Sequence, residues 1–469
     1  MTKSDPLGGN HDRPPVLLTY VPTLPSSEAP ASGSTPGLVL APFRGVRYAE
    51  DRVSGLAQVT SPPYDVIAAD NEHQLMASDP HNVVRLILPR HQAGQPGSPY
   101  EDAAAELRSW LGGGILVPDA EPALYVYEQV AVDSAGQPDW TRDIVQRGLI
   151  GALGLLPYQA GVVQPHEAVA PGPVSGRRQL MEATRANLEP IFLLYRGGDG
   201  AARALVDEVA ARPPLSEART PDGLRHRLWA ITDPGELATI AADLAPRTAL
   251  IADGHHRYAA YLQVQERLRA AAGAGPWDLG LALLVDSDAY PPRVGAIHRV
   301  IDGLVPEVAA RLAESAFTVR ELPGGTADVP AALAALAEAC DRGSVAFLLT
   351  GNGRAYLLTD PDRAQLGSAV TDQPAELWQQ LCGAVLEGLL FARIWGIEDD
   401  DRSVKAVHDA AEAIKAADSE SGGTAVICCP MSAAQVYEVA ALGQRVPRKS
   451  TSFGPKPRTG LVLRLFAEG

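Results

Sequence analysis

Positive charge is in short supply in this sequence relative to negative. Lys and Arg total 40 against 56 Asp and Glu, a formal charge of −16. A field of that sign repels polyanions, and holding a duplex by its phosphates needs a basic face. No nucleic-acid partner is expected, although a local basic pocket can hold one small phosphorylated ligand. Cysteine is scarce too. Cys340, Cys382, Cys428 and Cys429 are too few and too irregular for a disulfide framework or a zinc knuckle. They are expected to be reduced core thiols. Long apolar runs are missing: no segment reaches the roughly 18 uninterrupted apolar residues of a membrane span. Leu377 to Trp395 comes nearest but carries Gln379, Gln380, Glu387 and Arg393. The opening residues lack the apolar stretch of a signal peptide. No membrane partner is expected, and the expected location is cytoplasmic. Finally, neither Gly-x-x-x-x-Gly-Lys-Ser/Thr nor a Gly-x-Gly-x-x-Gly opening a helix after a strand occurs, so a classical P-loop or Rossmann nucleotide site is not supported.

What is present is enough to fold. Apolar residues are 46% of a 469-residue chain, sufficient for two or three packed units. Glycine (44) and proline (39) stay below the roughly 25–30% that marks wholesale disorder. Residues 1–37 have the composition of a mobile tail. Strands are expected at 82–88, 123–132, 147–158, 191–195, 228–231 and 248–252, with helices at 100–111 and 179–187. From 304 to 445 helices (306–315, 330–340, 376–395, 404–417) alternate with strands (317–322, 345–348, 356–359, 425–428), which reads as a separate α/β unit. The segment 446–469 is a basic turn and strand expected to pack back on a core spanning 38–303. The fold class is α/β, in the broad sense that includes α+β.

The densest chemistry lies at Asp253-Gly254-His255-His256-Arg257. A buried strand runs into it, and Tyr258, Tyr261, Leu262, Leu268 and Ala272 recur at helical spacing after it. The first N–H groups of a helix have no partner within it, and the dipole is positive there. Gly254 lets the chain turn and a ligand approach. With three further donors in succession, the turn is a candidate phosphate pocket. The plainer reading has Asp253 capping the helix beside solvated histidines. A metal held by both histidines is disfavoured, because adjacent helical side chains diverge by about 100°.

Two more constellations stand out. His166-Glu167, in a glycine- and proline-rich loop, is either a general base with its neighbour or a solvated pair. Arg448-Lys449-Ser450-Thr451-Ser452-Phe453-Gly454-Pro455-Lys456 is either a solvated turn or a phosphate clamp.

Taken together, several ordered motifs carry a resemblance. They are Ala41 to Tyr48, Pro62 to Ile67, Asn82 to Leu86, Pro165-His166-Glu167, Ile251 to Tyr258, His298-Arg299 and Lys449-Ser450-Thr451. From about residue 40 onward the chain resembles a widespread prokaryotic family of unknown function with an Ala-Asp-Gly-His-His-Arg-Tyr core. The core motif is similar to the phosphate turn of the ParB/sulfiredoxin superfamily, whose members include nucleotide-dependent switches and free-serine kinases. The resemblance implies a ParB/sulfiredoxin-like mixed-sheet core with an additional α/β domain, ATP and Mg²⁺ as cofactors, and phosphorylation of a small hydroxyl substrate, L-serine first. It implies that Asp253, Gly254, His255, His256 and Arg257 hold the phosphates and Mg²⁺, with Asp253 contacting the metal. Lys449, Ser450, Thr451 and Lys456 would extend the nucleotide site. Glu167, Asp253 and His255 are the catalytic candidates, and Tyr64, Asp65, Arg85 and His166 the substrate contacts. After His166-Glu167 the sequence departs from the family pattern: Val169, Val174 and Gly176-Arg177 stand where a threonine, a lysine and an Asp-Arg pair are usual. A non-catalytic nucleotide switch is therefore the second reading, and a metal-dependent phosphohydrolase the third.

Overall fold

Strands whose side chains are apolar on both faces belong in the middle of a covered sheet, and two such runs organise the chain. Ala249–Asp253 and Ile191–Tyr195 are buried along their whole length. They lie side by side and antiparallel, in a computed structural model that describes residues 37–90, 97–133, 145–343, 345–370, 375–399, 403–419 and 422–467. The sheet they share has nine strands. Its order is Val163–Gln164, Ala249–Asp253, Ile191–Tyr195, Leu279–Asp286, Val145–Gly154, Leu124–Ala131, Leu224–Ile231 and Ser216–Arg219, with Leu40–Ala41 added beside Val145–Gly154. Two junctions are parallel and the rest antiparallel, so the sheet is mixed. A second sheet of six antiparallel strands runs Thr318–Glu321, Arg354–Thr359, Phe347–Gly351, Gly423–Cys428, His298–Asp302 and Val404–Val407. The fold is α/β, as expected. Among the described residues no helix is long and apolar enough to cross a membrane.

The C-terminal stretch returns to the first sheet's side of the molecule. Thr459 bridges Ser61, Leu463 bridges Val46, and Arg464–Leu465 pairs with Ala186–Asn187. That return brings the basic segment 449–458 back beside residues 60–65 and 253.

Several expectations fail for local reasons. Asn82 to Leu88 is not a strand; Val84–Ile87 is one helical turn. The Asn82 side chain accepts the Val84 N–H at 2.9 Å and donates to the Gln58 carbonyl at 2.6 Å. This local capping overrides the β preference of the valines. The helix expected at 179–187 starts earlier and spans Pro171–Thr184, with proline in its first turn, where the missing N–H costs nothing. The helix expected over 376–395 is broken into Ala375–Trp378, Cys382–Val385 and a π-helical Leu386–Trp395. The helix expected from Val404 is a strand, Val404–Val407, then a turn and the helix Ala410–Ala417. Asp409 starts that helix by accepting the Glu412 N–H at 2.8 Å. The thiols are also not all reduced. Cys340 and Cys429 form a disulfide across 89 residues, and only Cys382 and Cys428 are free. Cys340 lies on the helix Val329–Asp341 and Cys429 just past the strand Gly423–Cys428, and no sequence spacing signals their meeting. The tail expected at 1–37 lies outside the described residues except for Gly37.

Candidate functional site

The strand Ala249–Asp253 carries a register irregularity between Ile251 and Asp253, a device that re-aims a strand-end side chain. Gly254 follows with φ 92°, and the helix His255–Ala272 starts at once. A Cβ at Gly254 would lie 3.0 Å from Ile191 and 3.1 Å from Arg257, so both the backbone angle and the packing call for glycine here. Tyr258, Ala260, Tyr261 and Val264 bury the inner face of the helix. Its N-terminus is thereby held at the floor of a cleft of about 920 Å³.

Three segments wall the cleft: Pro62 to Ala68 with Asn71, the turn Ala252 to His256 with Glu167, and Lys449 to Arg458. Ala406, Val407, His408 and Glu412 close one side from the second sheet, and Asp222 and His226 another. Asp65, Glu167, Asp222, Asp253 and Glu412 line it against Lys449, Lys456 and Arg458. The cleft as a whole is therefore not electropositive. Attraction for an anion must come from the helix N-terminus and the two lysines beside it.

Asp253 is the electrostatic centre. Its carboxylate pairs with the buried Arg257 guanidinium, and its Oδ1 lies 2.5 Å from Lys456 Nζ. Burial opposes its charge, but Lys456 and Arg257 hold the carboxyl well below the usual range. Lys456 also reaches Asp65 at 3.4 Å. Burial opposes the ammonium charge in turn, and Asp253 and Asp65 raise its pKa regardless. Asp253 does not fit as a direct Mg²⁺ ligand, since each carboxylate oxygen already has a cationic partner. Among the described residues no group of three His, Cys, Asp or Glu side chains could hold a metal.

Glu167 is half-buried in the cleft wall and accepts the Lys449 N–H at 2.6 Å. Burial pushes its carboxyl up to about 7, against the pull of that hydrogen bond and with help from the charge on Asp253. It is thus poised to take or give a proton near neutrality.

The two histidines of the turn face apart. His255 is buried edge-on against His166, whose N–H donates to His255 Nε2 at 3.4 Å. His256 accepts the Ala170 N–H at 3.1 Å and lines the cleft. They do not converge on one ion.

Tyr64, Asp65, Glu167, Asp253, Gly254, His255, His256, Lys449, Thr451 and Lys456 meet at the cleft. Four other candidates do not line it. His166 is fully buried: its Nδ1–H donates to the Ile251 carbonyl, and its Nε2 accepts from the Thr451 hydroxyl, each at 2.8 Å. With both nitrogens engaged it is a clamp joining three segments, and burial depresses its pKa to about 4. Arg257 is turned inward, donating to the Pro190 carbonyl at 2.6 Å as well as pairing with Asp253. Arg85 donates to the Met76 carbonyl at 3.0 Å, and Ser450 to the Pro447 carbonyl at 2.6 Å. In each case an internal acceptor holds the side chain that was expected to face ligand.

Other lining residues were not anticipated. His226 sits on an inward-facing position of Leu224–Ile231, an alternation that could have exposed it. It stacks on Tyr127 and bonds to it at 2.8 Å. His408 and Glu412 lie in a segment, 404–417, whose periodicity reads as one helix. Behind the cleft, Arg177 lies 4.2 Å from the Tyr64 ring centroid and donates to the Ile87 carbonyl at 2.7 Å, while Val174 is in the core.

The chain belongs to the family described as "Protein of unknown function (DUF1015)", whose model matches residues 40–381. No curated protein matches it. Among solved structures, a free serine kinase variant in complex with ADP shares 16% identity over 66% of this chain and 91% of its own, with a TM-score of 0.33. A conserved hypothetical protein from Pyrococcus furiosus shares 16% identity over 66% of this chain and 94% of its own, again at 0.33. SbnI with a C-terminal truncation, from Staphylococcus aureus, shares 11% over 67% and 87%, also at 0.33. Likeness at that level leaves the chemistry to be read from this chain's own geometry.

Proposed function

We propose that this DUF1015 member binds a nucleotide through its phosphates at the Asp253–His256 turn and transfers a phosphoryl group to a small hydroxyl compound. One observation carries the reading: the Glu167 carboxyl shares a cleft wall with a helix N-terminus and Lys456. The N-terminal N–H groups of the helix and Lys449 and Lys456 would hold the phosphates. Glu167 would accept the hydroxyl proton as the oxygen attacks phosphorus, and the bond to the leaving phosphate would break. Lys456 is already neutralised by Asp253 and Asp65, so it is oriented before ligand arrives. The family resemblance makes ATP the first nucleotide to try and L-serine the first acceptor; any Mg²⁺ would arrive with the phosphates. The ParB/sulfiredoxin likeness of the core is part of this proposal.

A second reading, a nucleotide-binding switch without turnover, is favoured by one feature. The segment after Glu167, where the family's usual polar residues are absent, is spent on packing: Val174 in the core and Arg177 against Tyr64.

The deciding experiment measures ADP release from ATP and Mg²⁺, with and without L-serine and a panel of hydroxyl metabolites. Acceptor-stimulated ADP that is lost in His256→Ala and Glu167→Gln supports the kinase. Tight nucleotide binding with no acceptor-dependent turnover sinks it in favour of the switch.

A further inference from the structure

We infer that His408 contacts the ligand, donating a hydrogen bond from Nε2 to the phosphoryl groups at the Asp253–His256 turn; this rests on the nucleotide reading above. His408 lies beyond the residues matched by the family model, which end at 381. Its position is set from both sides. The strand Val404–Val407 before it is fixed at the sheet edge by pairing with His298–Asp302, and Asp409 after it caps the helix Ala410–Ala417. The chain must turn at His408, which presents the ring to the cleft from the second sheet.

The ring is oriented but not saturated. Nδ1 lies 3.1 Å from Ser452 Oγ, on the short strand Ser452–Gly454, which is itself held by Arg293–Gly295. Among the described residues Nε2 has no hydrogen-bond partner. The Ser452 hydroxyl can donate to Nδ1, and in that tautomer the ring proton sits on Nε2, which is then a donor. The charged groups that act on the ring are Lys456, Asp65, Asp253 and Lys449, the same groups that surround the phosphate turn. His408 is exposed as a residue, and partial desolvation of its ring in the cleft, with Lys456 nearby, keeps the imidazole below its ordinary pKa and uncharged at neutral pH.

The test is calorimetric titration of ADP with Mg²⁺ into the full chain as wild type, His408→Gly, His408→Gln and Ser452→Ala, with thermal unfolding of each. The expected result is about tenfold weaker binding for both His408 variants, and about two- to fivefold weaker for Ser452→Ala, at nearly unchanged Tm. Millimolar imidazole should restore binding to His408→Gly and leave His408→Gln unaffected. Wild-type binding with His408→Gly unchanged overturns the inference and leaves the nucleotide reading intact. Weakened binding with neither imidazole rescue nor a Ser452 effect also overturns it, by assigning His408 to structure alone. No ADP binding by the wild type removes the nucleotide reading, and this inference with it.

Discussion

Lys456, far along the chain from Asp253, places its ammonium group 2.5 Å from the Asp253 Oδ1. The pair makes the C-terminal segment part of the site, because the acid at the head of the phosphate turn is balanced from there. Lys456→Met should leave Asp253 and Asp65 without their shared cation. Removing one member of a buried pair costs on the order of 3–5 kcal/mol; with the Lys456 side chain 14% exposed, the lower end is expected. Chemical denaturation checks this, and Lys456→Met combined with Asp65→Asn should regain part of the loss, since Asp253 keeps its Arg257 partner. If the double variant is less stable than the single, the charge argument is wrong.

Glu167→Gln should lower acceptor-dependent turnover by about 10²–10⁴-fold, the usual span for a general base, while ADP affinity changes little. In the wild type the rate should rise with pH through about 7, since the ionised carboxylate is the base. The glutamine variant's residual rate should be flat there. A rise that persists in the variant would assign the titration to another group.

His166 makes stability depend on pH with a definite sign. Its folded pKa is about 4 against an ordinary 6.5, so between those values the unfolded chain binds more protons. Stability should therefore fall as pH drops from 6.5 to 4, by on the order of 3 kcal/mol from this residue. His298, depressed to about 4, acts in the same direction. Glu167 acts oppositely: its raised pKa adds stability as pH falls from about 7 toward the ordinary carboxyl value. Urea midpoints at pH 7 and pH 4.5 should show a smaller acid loss in His166→Phe than in the wild type. An equal loss would remove His166 from the account.

Gly254→Ala should destabilise by about 1–3 kcal/mol, because a side chain is placed in the left-handed region against Ile191 and Arg257. Nucleotide affinity should fall with it, as the first N–H groups of the helix shift. Unchanged stability in thermal unfolding would mean the turn adopts another backbone path.

Thiol titration of the unfolded chain should find two reactive thiols without reductant and four after reduction, since Cys340 pairs with Cys429. Four thiols at the outset would refute the pairing.

Sequence alone determined what depends on neighbours along the chain. The apolar run 249–252, the glycine and the helical spacing after it located the strand-turn-helix, because burial pattern and backbone permissiveness are local. The α/β class followed from the same periodicities. Tertiary structure decided what depends on segments far apart. Only folding set Lys456 against Asp253, joined Cys340 to Cys429 and brought His408 to the cleft. It also turned Arg257 and His166 inward, although the family resemblance implied that both contact ligand. The reason is physical: a buried charge or imidazole takes whichever partner the fold supplies. For Arg257 that partner was the Pro190 carbonyl, and for His166 the Ile251 carbonyl and the Thr451 hydroxyl, none of which their own sequence neighbourhoods reveal.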